Sequence, residues 1–179
     1  GEVAYHQLKN LEKAEHTKYF YIGPEKDRDL LEGLNYQEVL DAKDADLAIA
    51  TGFEVDGTMA DVEKHIAEAT KQNLKLICVN PDKIVVRQDG SQQLCAGLIA
   101  DEYKLRGGDV EYFGKPYAAV YDYIFSNFAD INKSKTLVVG DALETDVKGA
   151  NMIGVDSAWT VSGIHMRLLD IQFGELPTI

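Results

Sequence analysis

Three carboxylates lie close together in the segment TLVVGDALETDVKGANMIG, residues 136–154. Asp141 follows an apolar run that ends at Gly140, and Glu144 and Asp146 come next, where a helical pattern begins. Ligands of open α/β sheets bind beyond the carboxyl ends of strands, which is the position expected for Asp141. Clustered carboxylates repel one another unless they are solvated or share a cation, and an oxygen-only set suits Mg²⁺. The simpler interpretation is a turn at Asp141 and a helix N-terminal charge at Asp146.

Lys115 is a second candidate, because it lies between a predicted strand and a helix predicted to begin at Pro116. Most lone lysines are merely solvated, but a cation at a helix N-terminus opposes the macrodipole by typically about 0.3–1 kcal/mol. A bound anion would remove this conflict, since helix N-termini and lysine both bind phosphate. Lys115 and Asp141 follow successive strands, so a right-handed crossover would place both at one sheet edge. A cation, an acidic metal site and a helix N-terminus are together what phosphoryl transfer requires.

The segment EVDGT, residues 54–58, differs by one methylene group from D-x-D-G-T, the nucleophile signature of a large phosphatase superfamily. Glutamate extends its carboxylate by about one bond, and misplacements of about 1 Å can reduce rates on the order of a hundredfold. The apolar run 47–50 also ends several residues before Glu54. Thr58 and Asp61 have the spacing of a capping box in front of a helical pattern. We therefore interpret this segment as the start of a helix rather than as a catalytic centre.

Apolar runs alternate with helical patterns along the whole chain, which favours an α/β fold with a mainly parallel sheet. The predicted strands are Lys18–Ile22, Asp46–Thr51, Leu74–Asn80, Val110–Phe113, Thr136–Gly140 and Val155–Val161. The predicted helices are Glu25–Leu34, Thr58–Gln72, Ser91–Lys104, Pro116–Phe128 and Thr145–Ile153. Residues 1–17 carry a short amphipathic pattern and no predicted strand.

The composition excludes several classes of protein. The chain of 179 residues is 45% hydrophobic and 27% charged, which is typical of a globular protein. A formal net charge of −12 disfavours nucleic-acid binding, which depends on Lys and Arg. The apolar runs are too short to span a membrane. The two cysteines do not suggest a disulfide framework and fit a cytoplasmic location, and the four histidines lack metal-ligand spacing.

The motif GKP at residues 114–116, followed by GDxxxTD at residues 140–146, resembles motifs III and IV of the haloacid-dehalogenase-like (HAD) superfamily. Upstream, ICVNPD at residues 77–82 and CAG at residues 95–97 resemble its class II-A branch, the nitrophenylphosphatase-like sugar and nucleotide phosphatases. In that branch, a large α/β cap domain is inserted into a Rossmann-like core ahead of the lysine. The resemblance extends from about residue 18 to residue 164 and implies the same fold here.

The resemblance divides the chain into three regions. These are a remnant of the core at residues 1–17, the α/β cap at residues 18–108, and the C-terminal part of the Rossmann-like core at residues 109–179. The boundary follows the pair Gly107-Gly108. The comparison aligns residues 46–72 with the middle of the cap, so the first core strand, the nucleophile and the general acid are expected to precede Gly1. A core without its first strand would leave apolar sheet surface uncovered.

For the chemistry, the resemblance implies that Lys115 is catalytic, because it would steady the phosphoryl group and the nucleophile. Asp141 would bind Mg²⁺, and Asp146 would support the same metal site indirectly. The family mechanism also needs an aspartate nucleophile that forms a phospho-aspartyl intermediate, and a second aspartate that acts as general acid and base.

For substrate binding, the resemblance implies a role for Gly114 and Lys115, with the glycine allowing close approach of the backbone. Asn80 and Asp82 would lie at the end of a cap strand that faces the active site. Ordinary turn chemistry explains the Asn80-Pro81-Asp82 sequence equally well.

The implied function is a Mg²⁺-dependent phosphatase that hydrolyses a small phosphorylated metabolite. This chain by itself is expected to be inactive, because its nucleophile is not among the 179 residues. Caps of this type often pair, so a homodimer through the cap is also expected. A non-catalytic phospholigand-binding module that keeps the HAD fold is the alternative. A receiver-like signalling domain is disfavoured, because Lys115 precedes Asp141, whereas the lysine of a receiver follows its phosphoacceptor.

Overall fold

The computed structural model describes residues 2–12, 17–87, 89–128 and 131–161. The chain forms two compact units, Gly1–Gly114 (unit 1) and Lys115–Ile179 (unit 2). The helices of unit 1 are α1 (Glu2–Asn10), α2 (Met59–Lys71) and α3 (Ala96–Leu105), with 3₁₀ helices at Glu25–Leu31 and Ala42–Asp44. Its strands are β1 (Thr17–Ile22), β2 (Tyr36–Val39), β3 (Leu47–Ala50), β4 (Lys75–Cys78), β5 (Ile84–Val86), β6 (Gln92–Leu94) and β7 (Val110–Tyr112).

Unit 2 contains two longer helices and two strands. In chain order these are α4 (Ala118–Asn127), a 3₁₀ turn (Lys133–Lys135), β8 (Leu137–Gly140), a π-helical turn (Leu143–Val147), α5 (Lys148–Ile153) and β9 (Asp156–Trp159). Strands β8 and β9 are parallel and pair from Leu137↔Asp156 to Gly140↔Trp159. Among the described residues of both units, no helix is long and apolar enough to cross a bilayer.

Five parallel strands form the main sheet of unit 1, in the order β2-β1-β3-β4-β7. The register pairs Tyr21 of β1 with Ile49 of β3, and Ile49 with Ile77 of β4. Strand β1 therefore lies between its two successors, which is the order of doubly wound folds whose ligands bind beyond the carboxyl ends of the strands. The predicted α/β class with a mainly parallel sheet is confirmed.

Side chains of these strands alternate between two buried faces of the sheet. One face packs against α2 and α3, in a cluster that includes Phe20, Ala48, Leu76, Ile66 and Ile99. The opposite face packs against α1 and the Glu25–Leu31 helix, in a cluster that includes Tyr21, Ile49, Ile77, Leu8 and Leu31. Burial on both faces explains why β3 and β4 occur as continuous apolar runs in the sequence.

Three strands were not predicted, namely β2, β5 and β6. Strand β2 has the sequence YQEV, whose two central polar residues suit its place at the edge of the sheet. Strands β5 and β6 form an antiparallel hairpin, closed by a hydrogen bond of 2.9 Å from Arg87 N to Ser91 O. The helix predicted over Ser91–Lys104 is therefore wrong at its start, because β6 occupies residues 92–94 and α3 begins at Ala96. The predicted Glu25–Leu34 helix is a 3₁₀ helix that ends at Leu31.

The division between the units lies six residues beyond the predicted boundary at residue 108. Strand β7 pairs with β4 through Leu76↔Val110, so the sheet of unit 1 continues past that boundary. Helix α1 also belongs to unit 1, where Leu8 is buried and the hydroxyl of Tyr36 donates to Leu8 O at 2.9 Å. The assignment of these regions to a core remnant, a cap and a partial core stays a prediction.

Both cysteines of the chain lie in unit 1 as buried free thiols. The thiol of Cys78 donates to Asn80 O at 3.4 Å. Burial raises the pKa of Cys78 to about 12 and that of Cys95 to about 11. These thiols therefore carry almost no thiolate at neutral pH.

Candidate functional site

Lys115 and Asp146 form an ion pair in unit 2, although 31 positions separate them in the sequence. The distance from Lys115 Nζ to Asp146 Oδ1 is 2.5 Å. The lysine side chain is 45% exposed, whereas that of the aspartate is only 9% exposed. A solvent-accessible cation is thus held in place by a buried carboxylate, which is the kind of charge-assisted contact that fixes geometry.

The carboxylate of Asp146 is held at a second point by the backbone. Ala142 N donates to Asp146 Oδ2 at 3.2 Å, and Asp146 N donates to Ala142 O at 2.9 Å. A Cβ atom on Gly140 would lie 2.2 Å from Asp146 Oδ2, so only glycine leaves room for the carboxylate at the end of β8. We call this space the Gly140 notch. The sequence motif that pairs Gly140 with Asp146 therefore has a steric reason.

Asp141 is the first residue after β8, as the sequence predicted. Its backbone carbonyl accepts a hydrogen bond of 3.2 Å from Trp159 Nε1, which ties this turn to β9. Glu144, the third carboxylate of the segment, is instead exposed and lies 3.6 Å from Lys148 in a surface ion pair. Glu144 therefore belongs to a surface ion pair, whereas the buried Asp146 pairs with Lys115.

The donors at this site are carboxylate oxygens, which fit Mg²⁺ in chemical class. In the described part of the chain, no group of three or more His, Cys, Asp and Glu side chains is placed to hold a metal ion. Mg²⁺ usually takes one or two protein carboxylates and completes its coordination with water and phosphate oxygens, so two aspartates are sufficient. Lys115 and Ala142 already bond the two oxygens of Asp146. The roles of Asp141 as a metal ligand and of Asp146 as its support stay predictions.

The prediction that α4 begins at Pro116 is wrong. The helix begins at Ala118, after Tyr117 in an extended conformation with φ −71° and ψ 141°. Lys115 and Pro116 precede this turn and are joined by a cis peptide bond. Lys115 is therefore not part of the first helical turn, and the charge that balances it is Asp146 rather than a helix terminus.

Two buried hydroxyl groups near the ion pair were not singled out from the sequence. Tyr121 of α4 is 6% exposed, and Thr145 is buried beside Asp146 in the π-helical turn. Neither Tyr121 Oη nor Thr145 Oγ1 has a hydrogen-bond partner in the described structure. Burial raises the pKa of Tyr121, with Lys115 lowering it and Asp146 raising it. The only sequence signal for Tyr121 was a hydroxyl group within an apolar helical stripe.

The predicted substrate residues Gly114, Asn80 and Asp82 come together in unit 1. Gly114 has φ +110°, and a Cβ atom there would lie 2.8 Å from the Pro81 ring. Asn80 Oδ1 accepts from Asp82 N at 3.2 Å, and Gly97 N donates to Asp82 O at 3.0 Å. These contacts show ordinary turn chemistry, and the substrate roles of the three residues stay predictions.

The EVDGT segment is the start of a helix, as predicted. Thr58 N donates to Asp61 Oδ2 at 2.7 Å, which completes the capping box of α2. Glu54 Oε1 accepts from Glu25 N at 2.9 Å, and Asp56 pairs with Arg87 at 3.4 Å. The segment lines a cleft of about 530 Å³ in unit 1. Its carboxylates are thus used in local structure.

Known proteins resemble this chain in both sequence and fold. Residues 112–177 match the family described as HAD-hydrolase-like. Human Chronophin is 27% identical over 126 residues, which cover 70% of this chain and 42% of Chronophin. A haloacid dehalogenase-like hydrolase from Brucella suis is 29% identical with a TM-score of 0.78, covering 92% of this chain and 63% of that one. The 4-nitrophenylphosphatase of Thermotoga maritima is 25% identical with a TM-score of 0.69, covering 97% and 65% respectively.

The fold and these similarities are those of the haloacid-dehalogenase-like superfamily, whose family model matches residues 112–177. Within that superfamily the chain resembles the nitrophenylphosphatases and shares their parallel α/β architecture. The chain spans 42% of the length of Chronophin and 63% of the Brucella hydrolase.

Proposed function

We propose that this chain is part of a Mg²⁺-dependent phosphatase that hydrolyses the phosphomonoester of a small metabolite. The observation that carries the proposal is the contact between Lys115 and buried Asp146, next to Asp141 at the carboxyl end of β8. A relative named as a 4-nitrophenylphosphatase and another named as a pyrimidine 5'-nucleotidase support the same class of reaction. The cytoplasmic location and the homodimer stay predictions.

Lys115 contributes a fixed positive charge. Its side chain is 45% exposed while Asp146 holds one side of the ammonium group, so its positive charge is accessible to a phosphoryl group. Phosphoryl transfer depends mainly on positioning and on stabilising charge at the phosphoryl oxygens. A preorganised lysine meets both needs without reorganisation during the reaction.

Asp141 would hold the magnesium ion, and Asp146 would keep this acidic site in place through the Gly140 notch. When bound, Mg²⁺ would neutralise charge on the phosphoryl oxygens. The chain's own contribution is to bring the carboxylate of Asp141 and the ammonium group of Lys115 to the same part of unit 2.

The covalent step is proposed to use an aspartate that precedes Gly1. Its carboxylate oxygen would attack phosphorus, the ester P–O bond would break, and a general acid would protonate the leaving oxygen. Water would then hydrolyse the phospho-aspartate, releasing inorganic phosphate and restoring the carboxylate. The use of Glu54 and Asp56 in the turn before α2 supports a nucleophile elsewhere.

A test should use the product of the full reading frame that contains these 179 residues. Lys115→Met should reduce hydrolysis of p-nitrophenyl phosphate by about 10²–10³-fold, which is typical for removal of a charge-stabilising donor. Lys148→Met is the matched control, because Lys148 is an exposed lysine of unit 2 in a surface pair with Glu144. Equal rates for wild type and Lys115→Met would overturn the proposal.

The alternative function is a module that binds phosphorylated ligands without cleaving them. It would use the same accessible cation of Lys115, held by Asp146, to bind a phosphate group without a nucleophile. Calorimetric titration with inorganic phosphate and Mg²⁺ separates the two functions. Binding without any hydrolysis by the full-length protein would establish the module.

A further inference from the structure

We propose that Tyr121 is a positioning residue that fixes Lys115 against Asp146 by locking α4 onto α5. Its catalytic consequence depends on the phosphatase function proposed above, whereas the geometry of the ion pair does not.

The contact between the two helices joins the hydroxyl group of Tyr121 in α4 to Gly149 in α5, which has no side chain. A Cβ atom on Gly149 would lie 2.0 Å from Tyr121 Oη and 2.8 Å from its Cζ. The phenol therefore fills the space that any other residue at 149 would occupy, and we call this space the Gly149 notch. Both residues are buried, so the contact excludes solvent from between the two helices. Close-packed contacts of this kind transmit displacements instead of absorbing them.

The notch connects the two charged residues through short segments of backbone. Helix α4 begins three residues after Lys115, and α5 begins two residues after Asp146. A shift of α4 along α5 would therefore move Lys115 relative to Asp146 almost directly. Phosphoryl transfer is sensitive to such shifts, since about 1 Å of misplacement can cost a hundredfold in rate.

The hydroxyl of Tyr121 has no hydrogen-bond partner in the described structure, although it is nine-tenths buried. A buried hydroxyl without a partner is unfavourable, so phenylalanine would suit a purely apolar position better. Burial raises the pKa of this hydroxyl, while the charge of Lys115 lowers it and that of Asp146 raises it. Its steric role in the Gly149 notch gives a reason for the oxygen atom.

The experiment is a double-mutant cycle in the full-length protein, read by NMR of the lysine ammonium groups. The signal of Lys115 is assigned with Lys115→Arg, and Asp146→Asn gives the reference spectrum of the broken pair. Gly149→Ala should push the phenol out of its notch and move the Lys115 signal to the Asp146→Asn position. Tyr121→Phe removes the closest clashing atom but leaves Cζ at 2.8 Å, so the double variant Tyr121→Phe/Gly149→Ala should return the signal only part of the way towards wild type.

Tyr121→Leu keeps the proposal testable if Gly149→Ala does not fold, because it removes the lock without adding a clash. We expect kcat for p-nitrophenyl phosphate to fall about tenfold in Tyr121→Leu and less than threefold in Tyr121→Phe. An unchanged Lys115 signal in folded Gly149→Ala, or in folded Tyr121→Leu, would overturn the proposal. Failure of the phosphatase function appears separately, as equal hydrolysis by wild type and Lys115→Met.

Discussion

The two units of the chain differ in how their strands are covered. In unit 1, Leu76 of β4 is fully buried, and helices pack against both faces of the sheet. In unit 2, Leu137 and Val139 of β8 are 56% and 61% exposed. Within the described residues, β8 pairs with β9 and presents these two apolar side chains to solvent.

We expect this difference to separate the residues that stabilise the fold from the residues proposed to act on phosphate. Among the described residues, the two large buried apolar clusters lie in unit 1, whereas Lys115, Asp141 and Asp146 lie in unit 2. Substitutions in unit 1 should therefore act mainly on the free energy of unfolding. Substitutions around the ion pair of unit 2 should act mainly on phosphate chemistry.

The largest expected effect on the free energy of unfolding comes from replacing a buried leucine of unit 1 with alanine. The comparison is the same substitution at an exposed leucine of unit 2. Leu76→Ala should lower the free energy of unfolding by about 2–5 kcal/mol, because it opens a cavity in a packed core. Leu137→Ala should change it by no more than about 0.5 kcal/mol, as expected for an exposed side chain. Urea denaturation measures both values. A loss for Leu137→Ala as large as that for Leu76→Ala would show that β8 is covered in the assembled protein.

An intermediate effect is expected from filling one steric notch in each unit. A Cβ atom on Gly108 would lie 2.1 Å from the buried Tyr103 ring in unit 1, which matches the crowding at Gly140. Gly108→Ala and Gly140→Ala should each lower the free energy of unfolding by about 1–3 kcal/mol through overpacking. Only Gly140→Ala should also reduce p-nitrophenyl phosphate hydrolysis, by about tenfold or more, because it displaces Asp146. Equal losses of hydrolysis in the two variants would contradict the division of roles.

The smallest expected effect is the change that Tyr21 causes in the free energy of unfolding at alkaline pH. Burial raises the pKa of Tyr21 in unit 1 from 10.0 to about 12, while its hydroxyl donates to Pro24 O at 2.8 Å. The folded state therefore binds this proton more tightly, so the stabilisation is complete below pH 10 and is lost as the pH rises towards 12. The free energy of unfolding should therefore fall less steeply between pH 10 and pH 12 in Tyr21→Phe than in wild type. Parallel curves for the two proteins would show that Tyr21 does not contribute.

The sequence was sufficient for the parts of the site that depend on local pattern. The apolar run before Gly140 predicted the strand that places Asp141, and the Thr58–Asp61 spacing predicted the capping box. Lys115 does pair with Asp146, but not through the predicted crossover within one sheet, because β7 pairs with β4 whereas β8 pairs with β9. The predicted strand and the capping box share a cause, because each pattern reports on burial or on hydrogen bonding within a few residues.

The failures involve packing between distant segments. Strand β2 has two polar central residues, so only its pairing with β1 identifies it as a strand. Strand β6 was predicted as the start of a helix and β5 was not predicted at all, because three-residue strands carry too little periodicity. The Gly149 notch could not be predicted either, since it exists only where α4 meets α5.

The two buried thiols give unit 1 a built-in chemical reporter. Cys78 and Cys95 are the chain's two cysteines, and burial keeps both in the unreactive thiol form at neutral pH. An alkylating reagent can reach these thiols only when unit 1 opens. The rate of alkylation would therefore measure how often unit 1 opens, and unit 2 would not contribute because neither cysteine lies in it. Native-state alkylation would thus report the local opening of unit 1 without any engineered probe.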